Sequence, residues 1–395
     1  MPDPNRWDTI QSLLHWPDAT SLDIIFAVAM HTRFPGDPLW ALLVGPSASG
    51  KTAIIESMSG HWIARPLDEI STKGFVTGAE HRIEYLRTLN GGLLLIKEFT
   101  VMLNASKETA DQIFSQLRAI YDGSFTKATG LGVKSITSRF GLLAGCVPQV
   151  DVHARLNAAM GDRFLRVEWP VDRVAMVKVA RRNSGSDGDI REALRTFSSS
   201  LLERSVDIIE EAWVPYAHAA IPIPIENLID DMAKLMGLLR AQVLRDHMHK
   251  VVSMPTTDGG ARLAKLLTEL VRSLLFLYED PLPSDEVIDA LRRVCYSMIP
   301  RARRMILQYL VLQDHSTAHK IADGIRIPIT TAREELEDLW MARVIDRDRL
   351  PQRNEYRLRP AVRSLLAITE VPLRLDEPDP AGADMTDELL HMLEW

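Results

Sequence analysis

The segment LWALLVGPSASGKTAIIESM, residues 39–58, constrains the fold of this chain more than any other. An apolar run, Leu39 to Val44, passes through a Gly-rich turn into a helical pattern. That strand–turn–helix context is what the G-x-x-x-x-G-K-[ST] pattern requires before it carries meaning. Gly45 and Gly50 permit a tight backbone path, and successive N–H groups converge on phosphate oxygens at the helix N-terminus. Ser47 and Ser49 complete the cradle, Lys51 is placed to pair with the β- and γ-phosphates, and Thr52 to ligate Mg²⁺. The expectation is an α/β fold that holds ATP with Mg²⁺.

Two further apolar runs read as buried parallel strands, which are continuous rather than alternating. One is Leu93 to Ile96, in GGLLLIKEF, and the other is FGLLAGCVP, Phe140 to Pro148. The first ends in Lys97 and Glu98, where a nucleotide-hydrolysing enzyme carries two acids, one for the metal and one for water. Three readings of Glu98 stand: the base that orients water, a carboxylate slid by one position to serve the metal, or a solvated charge at a strand end.

The 395 residues suggest two or three domains, and 25% charged with 46% hydrophobic residues is an ordinary globular composition. No apolar run reaches the length that spans a bilayer. The start, MPDPNRWD, lacks a basic and then apolar leader, so a cytoplasmic protein is expected. Cys146 and Cys295 alone cannot build a Cys-rich zinc site. A net charge of −7 argues against a protein that coats nucleic acid over its whole surface, while leaving room for a local basic element. The DEPDPAGADMTDE stretch reads as a solvated tail or as a docking peptide for a protein partner.

From Gly45 to about Phe164 the order of features resembles the AAA+ module of the minichromosome-maintenance (MCM) helicases. STKGFVTG, Ser71 to Gly78, looks like the lead-in to that family's helix-2 insert. GGLLLIKEF resembles its Walker B strand, with Lys97 in the place of the Asp. The segment from Gln116 to Pro148 looks like the helix, presensor hairpin and sensor strand in succession. In that alignment Lys127 takes the place of the hairpin Lys presented to DNA, and Val147 that of the sensor Asn. GDRFLRVEW resembles the segment whose Arg reaches a neighbour's nucleotide, which singles out Arg163. GGARLAKLLTELVRSLLFL is similar to the helix with the sensor-2 Arg, here Arg262. The resemblance implies a homo-oligomeric ring or arc, a hexamer being its closed form. The chain departs from the family in residues 1–38, too short for its N-terminal collar, as well as at Lys97 and Val147. Smaller AAA+ ATPases of mobile genetic elements lack that collar too. Plain alternatives stand beside each role: Lys127 as a hairpin-tip charge, Arg163 paired with Glu168 or Asp162, and Arg262 as a solvated helix residue.

Residues 171–300 read as helical, with helices expected over Ala193 to Ala212 and Leu228 to His249. NSGSDGD reads as a polar loop and IPIPIEN as a helix break. Asp246, His247 and His249 read as solvated helix residues rather than metal ligands. From Arg301 the pattern resembles a winged helix-turn-helix domain. It predicts helices over Thr317 to Ile325 and Thr330 to Met341, then a two-stranded wing from Val344 to Arg359. Arg347, Arg349, Arg353, Arg357 and Arg359 crowd that wing and suit phosphate contacts. Glu334, Glu335, Glu337 and Asp338 on the second helix would repel phosphates, so packing against protein is the other reading.

The expected organisation is a short helical segment over 1–38, an AAA+ core over 39–170, a helical lid over 171–300, a winged helix over 301–365 and an acidic tail over 366–395. The expected function is an ATP-dependent machine acting on DNA, with sequence-independent contacts in a pore. A nucleotide-dependent switch or assembly regulator with slow or no hydrolysis, in a mobile-element or defence setting, is the alternative.

Overall fold

The computed structural model describes residues 5–14, 18–68, 75, 85–129, 132–148, 160–161, 163–169, 173–241, 243, 245–246, 248, 250–255, 260–280, 282–351 and 353–373, except 208–213. At its centre is a five-stranded parallel sheet in the order β2–β3–β6–β1–β7. The strands are β1 (Trp40–Val44), β2 (Ala64–Leu67), β3 (Leu93–Ile96), β6 (Gly141–Cys146) and β7 (Phe164–Glu168). Every residue of β1, β3 and β6 is buried, as their uninterrupted apolar sequences require of strands covered on both faces. Strand β2, sequence ARPL, is not apparent from hydropathy. It lies at the sheet edge, where Pro66 can occupy a strand without breaking the ladder. Val44 pairs with Cys146 and Glu168, and Ile96 with Ala144, so all these strands end along one edge.

Described residues before β1 contribute to the core. Helix α1 (Asp8–Leu14) leads to α2 (Ala19–Met30), which is buried from Ser21 onward. Asp23 anchors this segment by accepting from Arg6 Nε and Trp7 Nε1, each at 2.8 Å. His31 follows, fully buried, with Nδ1 2.8 Å from Ser273 Oγ and Nε2 2.8 Å from the Asp37 carbonyl. Burial, with Arg139 nearby, lowers its pKa to about 3, so the ring is neutral.

Around the sheet lie α3 (Lys51–Ser57), α4 (Tyr85–Thr88), α5 (Thr100–Leu103) and α6 (Lys107–Tyr121). A separate antiparallel hairpin follows α6, made of β4 (Phe125–Thr129) and β5 (Gly132–Ile136). Next come α7 (Arg173–Asn183), α8 (Asp187–Asp207), α9 (Val214–Ala217), α10 (Ile223–Leu239), α11 (Ala261–Tyr278) and α12 (Asp285–Met298). Helix α11 packs on α2, and α12 packs on β7.

Three boundaries differ from the sequence expectation. The expected polar loop at 183–189 is shorter, because α8 begins at Asp187. IPIPIEN starts a helix rather than only breaking one: Pro224 falls in the first turn of α10, where a missing N–H leaves no bond unmade. The helix expected to reach His249 stops at Leu239. Beyond it Asp246 Oδ1 accepts from the N–H groups of Met248 and Lys250, at 2.8 and 2.9 Å, a local turn that competes with helix. His247 and His249 lie outside the described residues. No group of three or more metal-binding side chains occurs among the described residues.

The C-terminal part begins with α13 (Arg301–Leu312). It continues through β8 (Ser316–Thr317), α14 (Ala318–Ile325), α15 (Ile329–Met341), β9 (Ile345–Leu350), β10 (Arg353–Leu358) and α16 (Pro360–Thr369). The Thr317 hydroxyl caps α14, and Pro328 immediately precedes α15. The three strands form an antiparallel sheet in the order β8–β10–β9. No helix among the described residues is long and apolar enough to cross a membrane. Cys146 and Cys295 are both buried and unpaired.

Candidate phosphate-binding site

The Gly45–Thr52 loop leaves the end of β1 and opens into α3, at the sheet edge where β3, β6 and β7 also end. Its root is stitched on both sides: Gly45 N–H donates to the Cys146 carbonyl at 3.0 Å, and Trp169 N–H to that of Val44 at 2.7 Å. Trp169 also reaches across, its Nε1 donating to the Ser49 carbonyl at 2.7 Å. A Cβ at position 45 would stand 2.9 Å from Trp169 Cβ, so only glycine fits there. Ala48 and Gly50 both take the left-handed region, at φ 59° and 83°. Glycine makes this cheap at 50, and the alanine at 48 is held by the loop around it.

Within this curl Lys51 is buried, and its Nζ donates to the carbonyls of Gly45 (2.7 Å) and Pro46 (2.6 Å) and to Ser49 Oγ (3.2 Å). Burial pulls its pKa down, with Glu98 and Cys146 opposing. A cation held by carbonyl dipoles, among outward N–H groups at a helix start, is chemistry for an anion. Ser47 and Thr52 are exposed beside it. The cradle fits a triphosphate.

The residues do not fit the magnesium ion expected beside it. Lys97 stands where a metal-binding carboxylate was required, and an ammonium ligates no cation. Its Nζ lies 3.2 Å from Glu56 Oε1 and 3.1 Å from Asp68 Oδ1. The hydrogen bonds it donates to Asp68 and Glu56 raise its pKa. The two nearby carboxylates are thus tied to Lys97, and Thr52 offers a single hydroxyl. Glu98 Oε1 accepts from Thr100 N–H at 3.1 Å, closing the first turn of α5. At the end of β6, Thr100 Oγ1 lies 3.5 Å from Cys146 Sγ and accepts from Val147 N–H at 3.2 Å. Val147 itself, in the sensor place, brings no polar side chain there. Burial pushes the Cys146 thiol up to about 11, so it is no nucleophile.

Arg163 and Arg262 lie away from this site. Arg163 precedes Phe164, which pairs with Trp40 at the opposite edge of the sheet. Its Nη2 donates to Asp122 Oδ1 (2.8 Å) and Oδ2 (2.6 Å), and its Nη1 to the Met160 carbonyl (2.9 Å). The in-chain acid is therefore Asp122, neither of the two anticipated from sequence, and it leaves the Arg163 side chain 6% exposed. Arg262 lies in the first turn of α11, and like Arg163 it opposes the burial-driven rise of the Tyr121 pKa. Arg163, tied to Asp122 and Met160, does not reach its own chain's loop.

Two elements carry the basic residues expected from sequence to meet nucleic acid. In the β4–β5 hairpin Lys127 lies directly opposite Lys134, and Thr126 Oγ1 bonds Ser135 Oγ at 2.9 Å. Lys127 is therefore a mid-strand residue and not a tip charge. Phe125 and Ile136, paired at the base, are buried and root the hairpin in the core.

The arginines of β9 and β10 are largely matched by acids. Arg357 lies opposite Asp346, with its Nε 3.8 Å from Asp346 and 3.9 Å from Asp348. Arg353 pairs with Glu355 at 2.9 Å and Arg359 with Asp346 at 2.8 Å. The Arg347 guanidinium stacks on Trp340 at 3.6 Å. Arg349 is exposed.

Glu335, Glu337 and Asp338 of α15 are held by arginines of the same chain. Arg303 donates to Glu335 (2.7 Å), Asp338 (3.2 Å) and the carbonyls of Leu239 and Ala241 (2.9 and 2.8 Å). Arg245 binds Glu337 at 2.9 Å and also Asp338. The face expected to repel phosphates is thus engaged by Arg303 of α13 and by Arg245, beyond the end of α10.

Trp169, Glu56, Asp68, Arg303 and Arg245 shape these sites, and no sequence reading singled them out. Trp169 ends the GDRFLRVEW segment, Glu56 lies in the 39–58 segment and Arg245 in the helix expected over Leu228 to His249, but the sequence pattern assigns none of them a role. Most of STKGFVTG and all of the tail from residue 374 lie outside the described residues. The chain matches no protein-family model and no curated protein.

Proposed function

We propose that this chain is an ATP-binding module of the AAA+ type that acts on DNA in the manner of the MCM helicases. The observation that carries the reading is the Gly45–Thr52 loop at the exit of the central strand, with Lys51 drawn into its curl. The strand order supports it, because β6 is inserted between β1 and β3 as in additional-strand ATPases. So do the rooted hairpin with its facing lysines and a C-terminal unit with the helix order and hairpin of a winged helix.

In this reading Lys51 and the loop N–H groups hold the phosphates. Glu98 turns from Thr100 N–H to orient water. Arg163 and Arg262, at the far edge of the sheet, serve a neighbouring subunit in an oligomer, once Arg163 is released from Asp122. Lys127 and Lys134 grip the DNA backbone without reading sequence. The wing is left to contacts made by Arg349 and to packing. No step runs through a magnesium ion.

The second reading, a nucleotide switch with slow or absent hydrolysis, is favoured by one observation: Lys97 bound to Glu56 and Asp68 in the metal's place. Phosphate release separates the two. With DNA in excess, a motor releases phosphate well above the level of Glu98→Gln. A switch binds ATP and stays at that level.

A further inference from the structure

We propose that Lys97 is the built-in cation of this site: with nucleotide bound, its ammonium leaves Glu56 and Asp68 for the outer phosphates, so ATP binds without a divalent ion. The inference rests on the nucleotide reading above and deepens it.

The position follows from the fold. β3 and β6 end side by side, with Phe99 N–H donating to the Gly145 carbonyl at 2.7 Å. That puts Lys97 at the same sheet edge as the β1–loop junction, with β6 between them. On α3, Thr52 and Glu56 are four residues apart and so share one face, one helical turn from each other. Lys97 Nζ, at 3.2 Å from Glu56, therefore stands about one turn from the hydroxyl where the metal was expected.

Lys97 is also free to move. Its side chain is 40% exposed, and Asp68 is 82% exposed. Ion pairs this open to water are weakly held, and both carboxylates are resolvated when the lysine leaves. A triphosphate offers a denser negative charge than either partner, and a lysine serves phosphate well as a flexible point charge. Lys51 and Lys97 would then approach the phosphates from two sides.

Magnesium does two things in a phosphate-loop site: it neutralises charge and fixes geometry through its ligands. An ammonium supplies the first alone. Binding should thus persist without metal, while the ordering that speeds transfer is missing.

The test is a calorimetric titration of the full chain with ATP, once with magnesium and once with excess EDTA. Wild type is expected to change its Kd by less than about threefold between the two, where tenfold would equal about 1.4 kcal/mol. Lys97→Ala should weaken the EDTA titration by about tenfold or more, Lys97→Arg should restore it, and Lys97→Asp should bind about tenfold better with magnesium than without. Wild-type binding that collapses in EDTA, or a Lys97→Ala titration in EDTA identical to wild type, overturns the inference and leaves the nucleotide reading standing. No binding by folded wild type under either condition overturns both.

Discussion

The Gly45–Thr52 loop and the β9–β10 hairpin are both rich in groups that suit phosphate, but their charges are arranged in opposite ways. In the loop a buried ammonium and backbone dipoles converge on one small volume, and the acids Glu56 and Asp68 are bound to a different lysine. In the hairpin Arg353, Arg357 and Arg359 have carboxylates within reach on their own or the facing strand. Convergent cationic groups held by neutral dipoles leave a field for a ligand to fill. Alternating charges largely cancel within a Debye length. Counting arginines therefore does not locate a nucleic-acid surface, whereas the arrangement of their partners does.

The contrast breaks first at α15. If its acids are structural, removing Arg303 leaves Glu335, Asp338 and two carbonyls without their shared donor. Arg303→Ala should then lower unfolding stability by about 3–5 kcal/mol, as expected when one side of a buried pair is deleted. Arg349→Ala should stay within about 0.5 kcal/mol. Denaturant unfolding of both variants measures this, and a small loss at Arg303 would return the acidic face to solvent.

Trp169 sharpens the other half. Trp169→Phe keeps the ring in place and removes the Nε1 bond to Ser49, a loss of about 0.5–1.5 kcal/mol from a loop whose shape is the site. ATP affinity should fall by a few fold with the fold intact, read by calorimetry beside a thermal melt.

The two basic hairpins can be compared directly. Lys127→Ala or Lys134→Ala should weaken binding to DNA of any sequence and reduce the salt slope by about one unit for each phosphate left unpaired. Arg357→Ala, already matched by Asp346 and Asp348, should change that slope little. Anisotropy titrations across salt give both numbers. Equal reductions at Arg357 and Lys127 would erase the distinction.

A smaller effect comes from pH. The His31 pKa of about 3 lies below that of the unfolded side chain, so between these values the unfolded state binds more protons. Stability from keeping His31 neutral is full above about pH 6.5 and is lost as pH falls toward 3. The melting temperature should therefore drop from pH 7 to pH 5.5, and drop less in His31→Gln.

These regions also differ in what the sequence could disclose. Strands β1, β3 and β6 were legible because burial on both faces leaves continuous apolar runs. The loop was legible because its path is set by its own residues. The edge strand β2 was not, since an edge tolerates Pro66 and Arg65. The charge matching of the β9–β10 hairpin was readable in principle, because DRDR over residues 346–349 alternates charge along one strand. Cross-strand register then places Arg357 opposite Asp346. The link from Trp169 to Ser49, and those from Arg303 to α15, join residues far apart in the chain, and no local pattern encodes them. Likewise Lys97 was visible as a departure, but its tie to Glu56 and Asp68 required the fold.

The central claim is that the Gly45–Thr52 loop holds a triphosphate, and an ATP titration of wild type against Lys51→Ala tests it most directly. Lys51 is the cation drawn inside the curl, bonded there to Gly45, Pro46 and Ser49. Its removal should abolish binding while circular dichroism and the melt stay close to wild type. The account predicts saturable heat for wild type and none for the variant. Equal affinity in two folded proteins would contradict it.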